Sequence, residues 1–572
     1  MTKYDCFKII LVHIYQIIFM KKSILIPLSI FLISISIKTY SQVVYEPLSS
    51  SVYAFLERMD LKDNTVIHGE VKPFSRIYIA EKLLDLDGNK TELNSLESDE
   101  LEFYKKEYAI ELSKLKNENT KEELSYFHND KNGRFRAFTF SNQYFTFAAD
   151  PVLGYSLSNI KGNITSHLQN GAKAYGYISD DIGFSINYRD NTESGTYIDN
   201  TKNFTPVTGI VHTGTTVAGV ENLQYDEVNA GISVNWKWGS VTFAKDYLNW
   251  GSGENGQIIL SSKAPSFPFI RLDVSPVSWF RFTYIHGWLH SQILDSTTLR
   301  TTSVPGRNNY LEVPKFIAAH MLTFDLSKKL TVSIGESIIY SDRIEPVYLI
   351  PVMFFRVADH YLQESGSNSG SNAQMFANAY YKIPSLKMQL YSSLFIDELS
   401  ITGLLKNENS ASAVAYTFGV KKADLFFPNS ETVLEYTRVN PFVYMNSNDA
   451  QHYSNRGYQL GQWSGSNADV IYFSYMQYFI RGLSAGLSIN YARKGGTEQP
   501  QQQYQLPYPD FLFGERKNDM EISLNVKYEI INGLTGELNF THSKITDNEL
   551  NRTPEWMLGT NDILNLSVGY GL

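Results

Sequence analysis

The chain has 572 residues, with 50 lysines and arginines against 59 aspartates and glutamates, which gives a net charge of −9. Aromatic residues make up 14% of the chain and charged residues only 19%, a balance that favours strands, on which planar side chains pack well. The negative charge excludes a general attraction to nucleic acid or to acidic glycans, and the mean hydropathy of −0.24 excludes a bundle of membrane helices.

The beginning of the chain predicts export. A Met-Lys-Lys start at 20–22 precedes a long apolar run, and small residues lead to a cleavage site after Ser41, which is the outline of a secretory signal peptide over residues 1–41. The residues before Met20 are either a misassigned start, which we favour, or an extension of the leader. The single cysteine, Cys6, lies in this segment, so we expect a mature chain without disulfides or cysteine metal sites.

Residues 42–118 are predicted to form a small helical unit in the periplasm. Apolar residues recur in its first part at helical spacing, namely Val52, Phe55, Leu56 and Met59. Ser75 is the predicted cap of a second helix, and Ser98 of a third helix that runs to Leu115.

A polar hinge at 128–133 separates this unit from a region of period two, which we assign to a β-barrel over residues 134–572. Hairpins are predicted at 175–188, 324–334, 380–391, 478–491 and 527–540, the last with a type I′ turn at Asn532-Gly533. Longer polar loops are predicted at 189–226, 296–312, 361–375, 441–468 and 495–518.

Short turns on one side and long loops on the other are typical of a transmembrane antiparallel β-barrel. Apart from the leader, no apolar run reaches the roughly 20 residues that a membrane helix needs. Residues 564–572 alternate apolar with small or polar residues, as a closing strand does, although the same pattern would suit a soluble sandwich. The spacing predicts roughly 16 to 20 strands, closed because lipid offers no partner to a free edge.

Signatures of catalysis are weak. His286 and His290 share one face of a strand, which favours a lumen or interface position over metal binding. The neighbours Asp397 and Glu398 point to opposite faces, so they do not make a glycosidase pair. We therefore predict no enzyme, no metal and no cofactor, although a glycan hydrolase or deacylase stays open as the weakest alternative.

The stretch Lys245–Leu272 combines glycines, prolines, Trp250 and charges in a way that no ordinary strand needs. We expect it to form a constriction or a connection folded into the barrel. Charged residues of the strands are predicted to face the lumen, and the candidates for the lumen or its constriction are Lys245, Asp246, Trp250, Arg271, Glu336, Arg343, Glu435 and Arg438.

This stretch resembles the Wzi capsule assembly family of outer-membrane proteins, in which a charged strand end runs into Trp-Gly-x-Gly and then Ala-Pro and Phe-Pro passages. Further passages resemble the family in the same order, at 318–343, 346–355, 391–399 and 434–444. The resemblance implies a barrel of about eighteen strands with a periplasmic helical bundle in the outer membrane, holding exported polysaccharide at the cell surface. The long Gln-Pro loop at 497–510 and the terminal Leu572 depart from the proteobacterial pattern.

Aromatic and polar residues of the long loops are the candidates for glycan contact, because flat rings stack on sugars while amides and cations bind hydroxyls or carboxylates. An ordinary solvated loop with interface aromatics is the alternative for each. The candidates are Tyr444, His452, Trp463, Tyr504, Tyr508, Arg516 and Lys517. We expect a monomer that contacts outer-membrane lipid and surface polysaccharide but no nucleic acid; a pore for solutes is the alternative function.

Overall fold

The computed structural model describes residues 43–116, 118, 122–130, 133–179, 181–198, 213–217, 220–304, 308–364, 370–398, 412–505 and 507–572. The signal peptide predicted over 1–41, with its start at Met20 and its cleavage after Ser41, lies outside these residues. Within the described ranges, every helix is too short or too polar to cross a membrane.

Four helices form the predicted N-terminal unit: α1 Val52–Leu61, α2 Arg76–Gly88, α3 Ser95–Glu107 and α4 Ala109–Leu115. They share one apolar core, which includes Phe55 and Leu83. Ser75 caps α2 as predicted, since its hydroxyl accepts a hydrogen bond from the backbone N–H of Tyr78 at 3.2 Å. The predicted cap at Ser98 is wrong, because Asn94 and Glu97 form a capping box that starts α3 earlier.

Strands make up most of the rest. They are β1 Val71–Lys72, β2 Glu123–Asn129, β3 Phe135–Ser141, β4 Phe145–Ile160, β5 Asn163–Ile178, β6 Ile182–Gly195, β7 Thr213–Val217, β8 Val220–Trp236, β9 Gly239–Asp246, β10 Asn249–Trp250, β11 Phe267–Val277, β12 Phe280–Thr301, β13 Asn308–Ser327, β14 Leu330–Ser341, β15 Asn372–Ile383, β16 Met388–Glu398, β17 Ala413–Ala423, β18 Ser430–Val439, β19 Ser454–Asn455, β20 Tyr458–Gln459, β21 Ala468–Ile480, β22 Leu483–Lys494, β23 Lys517–Ile531, β24 Leu534–Asp547 and β25 Gly559–Tyr570. A fifth helix, α5 Phe355–Glu364, lies between β14 and β15.

Eighteen of these strands close an antiparallel barrel, which confirms the predicted fold. The ring is made of β4–β6, β8, β9, β11–β18 and β21–β25. It closes where β25 pairs with β4, from Ile563 opposite Ile160 to Tyr570 opposite Leu153. The predicted closing strand is therefore confirmed, and no ring strand is left with an unpaired edge to face lipid.

The turns are short at one end of the barrel and mostly long at the other. All five predicted hairpins form, and Asn532-Gly533 is the two-residue turn between β23 and β24. The predicted loop at 189–226 is wrong in part, since β6 continues to Gly195 and β8 starts at Val220. The barrel sheet also starts before residue 134, because β2 pairs with β3. We refer below to the short-turn end and the long-loop end.

The outer face of the barrel carries an apolar belt. Side chains alternate between lumen and exterior along each strand, and large apolar residues are exposed on the exterior. Examples from fourteen different strands are Leu153, Leu168, Ile186, Ile232, Phe243, Ile270, Ile334, Leu394, Phe418, Leu434, Ile471, Leu524, Leu538 and Leu566. Such a band is the surface that a barrel presents to lipid.

One segment, residues 342–364, folds back over the outside of the wall at β12–β15. Its Tyr348, Phe355 and Ala358 pack on outward-facing residues such as Ile338 and Tyr340. The outward face of this segment is itself apolar, with exposed Leu349, Ile350, Val352, Phe354 and Val357. The belt therefore continues over the segment, which we call the outer flap.

Candidate functional site

The chain leaves the wall after β9 and fills part of the lumen with residues 247–266, which we call the lumen segment. Its β10 pairs with β1 of the helical unit, with Trp250 opposite Val71. The backbone N–H of Gly251 donates to the carbonyl of Glu70 at 3.0 Å. The expectation that this stretch folds into the barrel is confirmed, and it meets the helical unit inside.

Glycines in the lumen segment are required by close contacts. Gly251 has a φ of 106°, which side chains rarely adopt. A Cβ on Gly253 would lie 2.5 Å from the carbonyl oxygen of Gly256, and one on Gly256 would lie 2.3 Å from the side-chain oxygen of Gln462. The Trp-Gly-x-Gly passage is thus a packing feature of the lumen.

Polar groups of the wall fix the tip of the lumen segment. The carboxylate of Glu435 on β18 accepts hydrogen bonds from the backbone N–H groups of Glu254 and Asn255, at 2.6 and 3.3 Å. It also accepts one from the hydroxyl of Tyr391 at 2.8 Å. Because the buried carboxylate of Glu435 accepts three hydrogen bonds, it fixes the tip of the lumen segment in the lumen, where the segment acts as a plug.

A second long loop, residues 440–467, packs on the lumen segment. The hydroxyl of Tyr444 donates to the carbonyl of Ile258 at 2.6 Å, and the hydroxyl of Tyr453 to the carbonyl of Ile259 at 2.7 Å. Both rings belong to a buried apolar core shared by the two loops and the inward faces of β11–β18. The lumen is therefore filled on that side.

The helical unit closes the short-turn end through buried charges. Lys421 of β17 binds Glu57 of α1 and Glu254 of the lumen segment, each at 2.5 Å, and Lys72 binds Glu57 as well. Burial alone would raise the pKa of Glu57, but Lys421 and Lys72 outweigh it and hold the pKa at about 2. Helical unit, wall and lumen segment are thus joined by one ionic cluster.

The other side of the lumen, in front of β4–β9, contains a cavity of about 410 Å3. Its floor is the segment 44–49 of the helical unit, and Tyr247 and Ser262 of the lumen segment border it. This volume lies within the range of small-ligand sites. We call it the lumen cavity.

Inward-facing polar residues of β5, β6 and β8 form the wall of the lumen cavity in cross-strand rows. Asn187 lies between Lys173 and Asn229, and the next row places Arg189 beside Glu227. A further row contains Gln169, Asn191 and Tyr225, in which the amide of Gln169 donates to the oxygen of Asn191 at 3.2 Å.

Glu107 at the end of α3 also borders the cavity, but it is fully engaged. It binds Arg134, Arg136 and Arg76 at 2.6, 3.1 and 3.2 Å. Burial would raise its pKa, whereas the three guanidinium charges hold the pKa well below its usual range. It remains a carboxylate that closes the floor.

The glycan candidates divide by burial. Tyr444, Trp463 and Lys517 are buried, at 1%, 5% and 1% exposure, so they offer no face to solvent. Tyr444 binds the lumen segment, as described above, and Trp463 packs on Val470 and Ala492. For these three, the expectation of a loop surface open to glycan is wrong.

The other glycan candidates lie at the long-loop end. His452 and Tyr508 are partly exposed and Arg516 is exposed. His452 accepts a hydrogen bond on Nδ1 from the backbone N–H of Asn446 at 3.0 Å. Tyr504 ends a 3-10 turn, and its side chain lies outside the described residues.

Four of the eight residues predicted to face the lumen or its constriction do so. Asp246, Trp250, Arg271 and Glu435 are inside the barrel, and Arg271 pairs with Asp273 at 2.7 Å. The lumen prediction is wrong for the remaining four.

Lys245 points outward and donates to the carbonyl of Val228 at 2.7 Å. Arg438 also points outward, and its guanidinium lies 3.7 Å above the centre of the ring of Phe511. Arg343 begins the outer flap, where its side chain is 66% exposed.

Glu336 faces outward as well, beneath the outer flap. It accepts a hydrogen bond from the backbone N–H of Phe355 at the start of α5, at 2.7 Å. The backbone N–H of Arg356 donates to the same carboxylate at 3.5 Å, and the ring of His320 lies 3.4 Å from it. The flap thus covers a charge that would otherwise face lipid.

Sequence reasoning missed the wall of the lumen cavity. Arg189 falls in a region predicted as a loop, and Lys173 lies just before the hairpin predicted at 175–188, without an assigned role. Alternation along residues 163–195 was the available signal, since every second residue from Asn163 onward is polar, tyrosine or glycine. Within the described part of the chain, no group of three or more acidic, histidine or cysteine residues is placed to hold a metal.

Comparison with known proteins identifies relatives. The model of the family "Capsule assembly protein Wzi" matches residues 158–554, well over half of the chain. The Escherichia coli Wzi structure, described as an outer-membrane protein involved in group 1 capsule assembly and a carbohydrate-binding β-barrel, has 10% identity and a TM-score of 0.54, covering 93% of this chain and all of that one. No curated protein sequence matches.

Other solved barrels are less similar. OprD of Pseudomonas aeruginosa has 12% identity and a TM-score of 0.39, covering 74% of this chain and 94% of that one. OccAB1 of Acinetobacter baumannii has 9% identity and a TM-score of 0.41, covering 75% and 95%. The family match agrees with the closed barrel and its apolar belt. This chain belongs to the Wzi family of capsule assembly proteins and lies in the outer membrane.

Proposed function

We propose that this protein binds exported capsular or other surface polysaccharide, without catalysis, and anchors it at the cell surface. Its family supports the ligand class. The long-loop end would face outside and the helical unit the periplasm, which is the arrangement of outer-membrane barrels generally. Export would depend on the leader at 1–41, so the mature chain would begin at Gln42.

The observation that carries this proposal is the filled lumen. The lumen segment and the loop 440–467 pack into a continuous apolar core behind β11–β18, and the helical unit closes the short-turn end. A wide barrel conducts solutes only if its lumen is open. A barrel with a plugged lumen cannot conduct solutes but still presents its long loops at the cell surface, which favours binding over transport.

The long-loop end offers suitable groups for a polysaccharide. The partly exposed ring of Tyr508 can stack on a sugar face, and Arg516 can bind hydroxyls or carboxylates. His452 adds a ring nitrogen at the same end. We propose these three as the contact residues of the outer surface, in a monomeric protein.

Deletion of the gene tests the proposal. Polysaccharide should move from the cells into the medium, and expression of the full chain should restore retention. A chain with His452→Ala, Tyr508→Ala and Arg516→Ala should restore it less well, at an equal amount of folded barrel. Unchanged retention in the deletion strain would refute anchoring.

The alternative function as a solute pore makes the opposite prediction for purified protein. Planar bilayers containing the intact barrel should show no stable conductance if the plug stays in place. A steady open-channel current would favour transport instead.

A further inference from the structure

We infer that the lumen cavity in front of β4–β9 is a second, internal saccharide site, which takes a short segment or an end of the polysaccharide. The inference rests on the proposed function for its ligand class. This second binding site would lie inside the barrel, separate from the loop surface that carries Tyr508 and Arg516.

Two amide oxygens on the cavity wall have no partner. Oδ1 of Asn187 and Oδ1 of Asn229 are buried and accept no hydrogen bond, and the two residues are directly opposite each other on β6 and β8. Nearly all buried polar atoms in folded proteins are hydrogen-bonded, so unpaired ones need an explanation. A bound group with hydroxyl donors would satisfy both.

Two cations on the same wall also lack ion pairs. Lys173 is the cross-strand neighbour of Asn187, and Arg189 lies one row further along β6. Neither forms an ion pair or a side-chain hydrogen bond with another described residue, whereas Arg76 and Arg136 at the floor each bind carboxylates. Two basic side chains are thus left to donate into the cavity.

Acceptors lie beside these donors. Glu227 is opposite Arg189 and accepts a hydrogen bond from the hydroxyl of Tyr247 at 2.6 Å, and Asp246 borders the same space. A sugar hydroxyl donates one hydrogen bond and accepts others, so it suits a wall that mixes donors and acceptors. A simple anion would be repelled by the acids.

Tyrosine rings complete the pattern of a carbohydrate site. Tyr225 and Tyr247 both border the cavity, and ring faces pack on the apolar face of a pyranose. The volume of about 410 Å3 fits one or two sugar rings rather than a long chain. We therefore infer a site for a short saccharide.

The test uses the full chain in detergent and two probes prepared from the surface polysaccharide of the producing bacterium: the intact polymer and its di- to tetrasaccharides. The double variant Asn187→Leu with Asn229→Leu removes both unpaired acceptors and keeps the side-chain size. Asn235→Leu is the matched control, because Asn235 lies on the same strand and the same face as Asn229 but is not among the residues that line the cavity.

We expect the double variant to bind the short oligosaccharides about tenfold or more weakly, since each lost hydrogen bond to a buried group reduces affinity severalfold. The control should match the unchanged protein, and binding of the intact polymer through the loops should persist. Equal oligosaccharide affinity in the double variant would overturn the inference, as would binding of the polymer alone by the unchanged protein.

Failure of the proposed function would look different, because neither probe would then bind the unchanged protein. If the leucines reduce the yield of folded barrel, Arg189→Gln serves as a milder change. Loss of oligosaccharide affinity in that variant supports the internal site, and unchanged affinity overturns it.

Discussion

The two sides of the lumen differ in how their space is occupied: one is filled by protein and the other borders a cavity. Behind β11–β18 a cluster of apolar inward residues is covered by the lumen segment and the loop 440–467. In front of β4–β9 polar inward residues border an open cavity. One side is filled by the chain itself, while the other leaves open space beside the buried, unpaired amide oxygens of Asn187 and Asn229. The comparison predicts that mutations on the packed side lower stability and those on the polar side lower binding.

The largest effect is expected from Trp250→Ala on the packed side. Trp250 is fully buried, and its ring lies 6.3 Å from that of Phe376. Loss of such a side chain should lower the free energy of unfolding by about 3–5 kcal/mol and loosen the plug. Urea unfolding in detergent and conductance in planar bilayers measure both effects.

The control is Trp279→Ala, in an exposed turn at the short-turn end. It should lower stability much less and leave the conductance unchanged. Equal losses in the two variants would contradict the idea that Trp250 holds the plug.

The next largest loss of stability is expected in the ionic cluster between the helical unit and the wall. There Glu57→Gln removes the charged partner of Lys421 and Lys72. The pKa of Glu57 is about 2 instead of 4.5, so its contribution is present above pH 4.5 and is lost as the pH falls toward 2. A shift of this size corresponds to roughly 3 kcal/mol.

Protease sensitivity of the helical unit measures this effect. The variant should be cleaved faster than the unchanged protein at pH 7, and the difference should shrink near pH 3. A difference that is constant over this range would show that charge is not the cause. Glu92→Gln, in an exposed 3-10 turn of the same unit, should behave like the unchanged protein.

A smaller effect is expected from Glu435→Gln. The amide keeps one acceptor oxygen but turns an NH2 group toward the backbone N–H groups of Glu254 and Asn255. Loss of charge-assisted hydrogen bonds should cost about 1.5–3 kcal/mol. Hydrogen exchange at residues 253–256 should accelerate while the barrel strands stay protected; unchanged exchange there would contradict the anchoring role.

Much of this architecture could be predicted from sequence because its signals are local. Period two located the hairpins, and period 3.6 located the helical unit. Whether a charged side chain of a strand points into the lumen or outward could not be predicted from these local patterns. Glu336 is buried on the outer face only because residues from the outer flap cover it, and Tyr444 is buried because its hydroxyl meets the carbonyl of Ile258, 186 positions earlier.

The glycine-rich stretch at 245–272 shows what sequence reasoning can and cannot predict for an irregular element. Its composition predicted an irregular element inside the barrel, which is confirmed, but not its partners. Val71 of the helical unit and Glu435 of β18 come from distant parts of the chain. Such long-range pairings depend on the closed barrel, and no local pattern encodes them.

The smallest change in stability is expected on the polar side, from Asn187→Leu with Asn229→Leu. Each amide oxygen is buried without a partner, so replacement by an apolar group of similar size removes a desolvation cost and loses no hydrogen bond made by that oxygen. The free energy of unfolding should change by less than about 1 kcal/mol, or rise. A loss as large as that of Trp250→Ala in the same urea titration would mean that these amides pack the barrel, and the contrast between the two sides would fail.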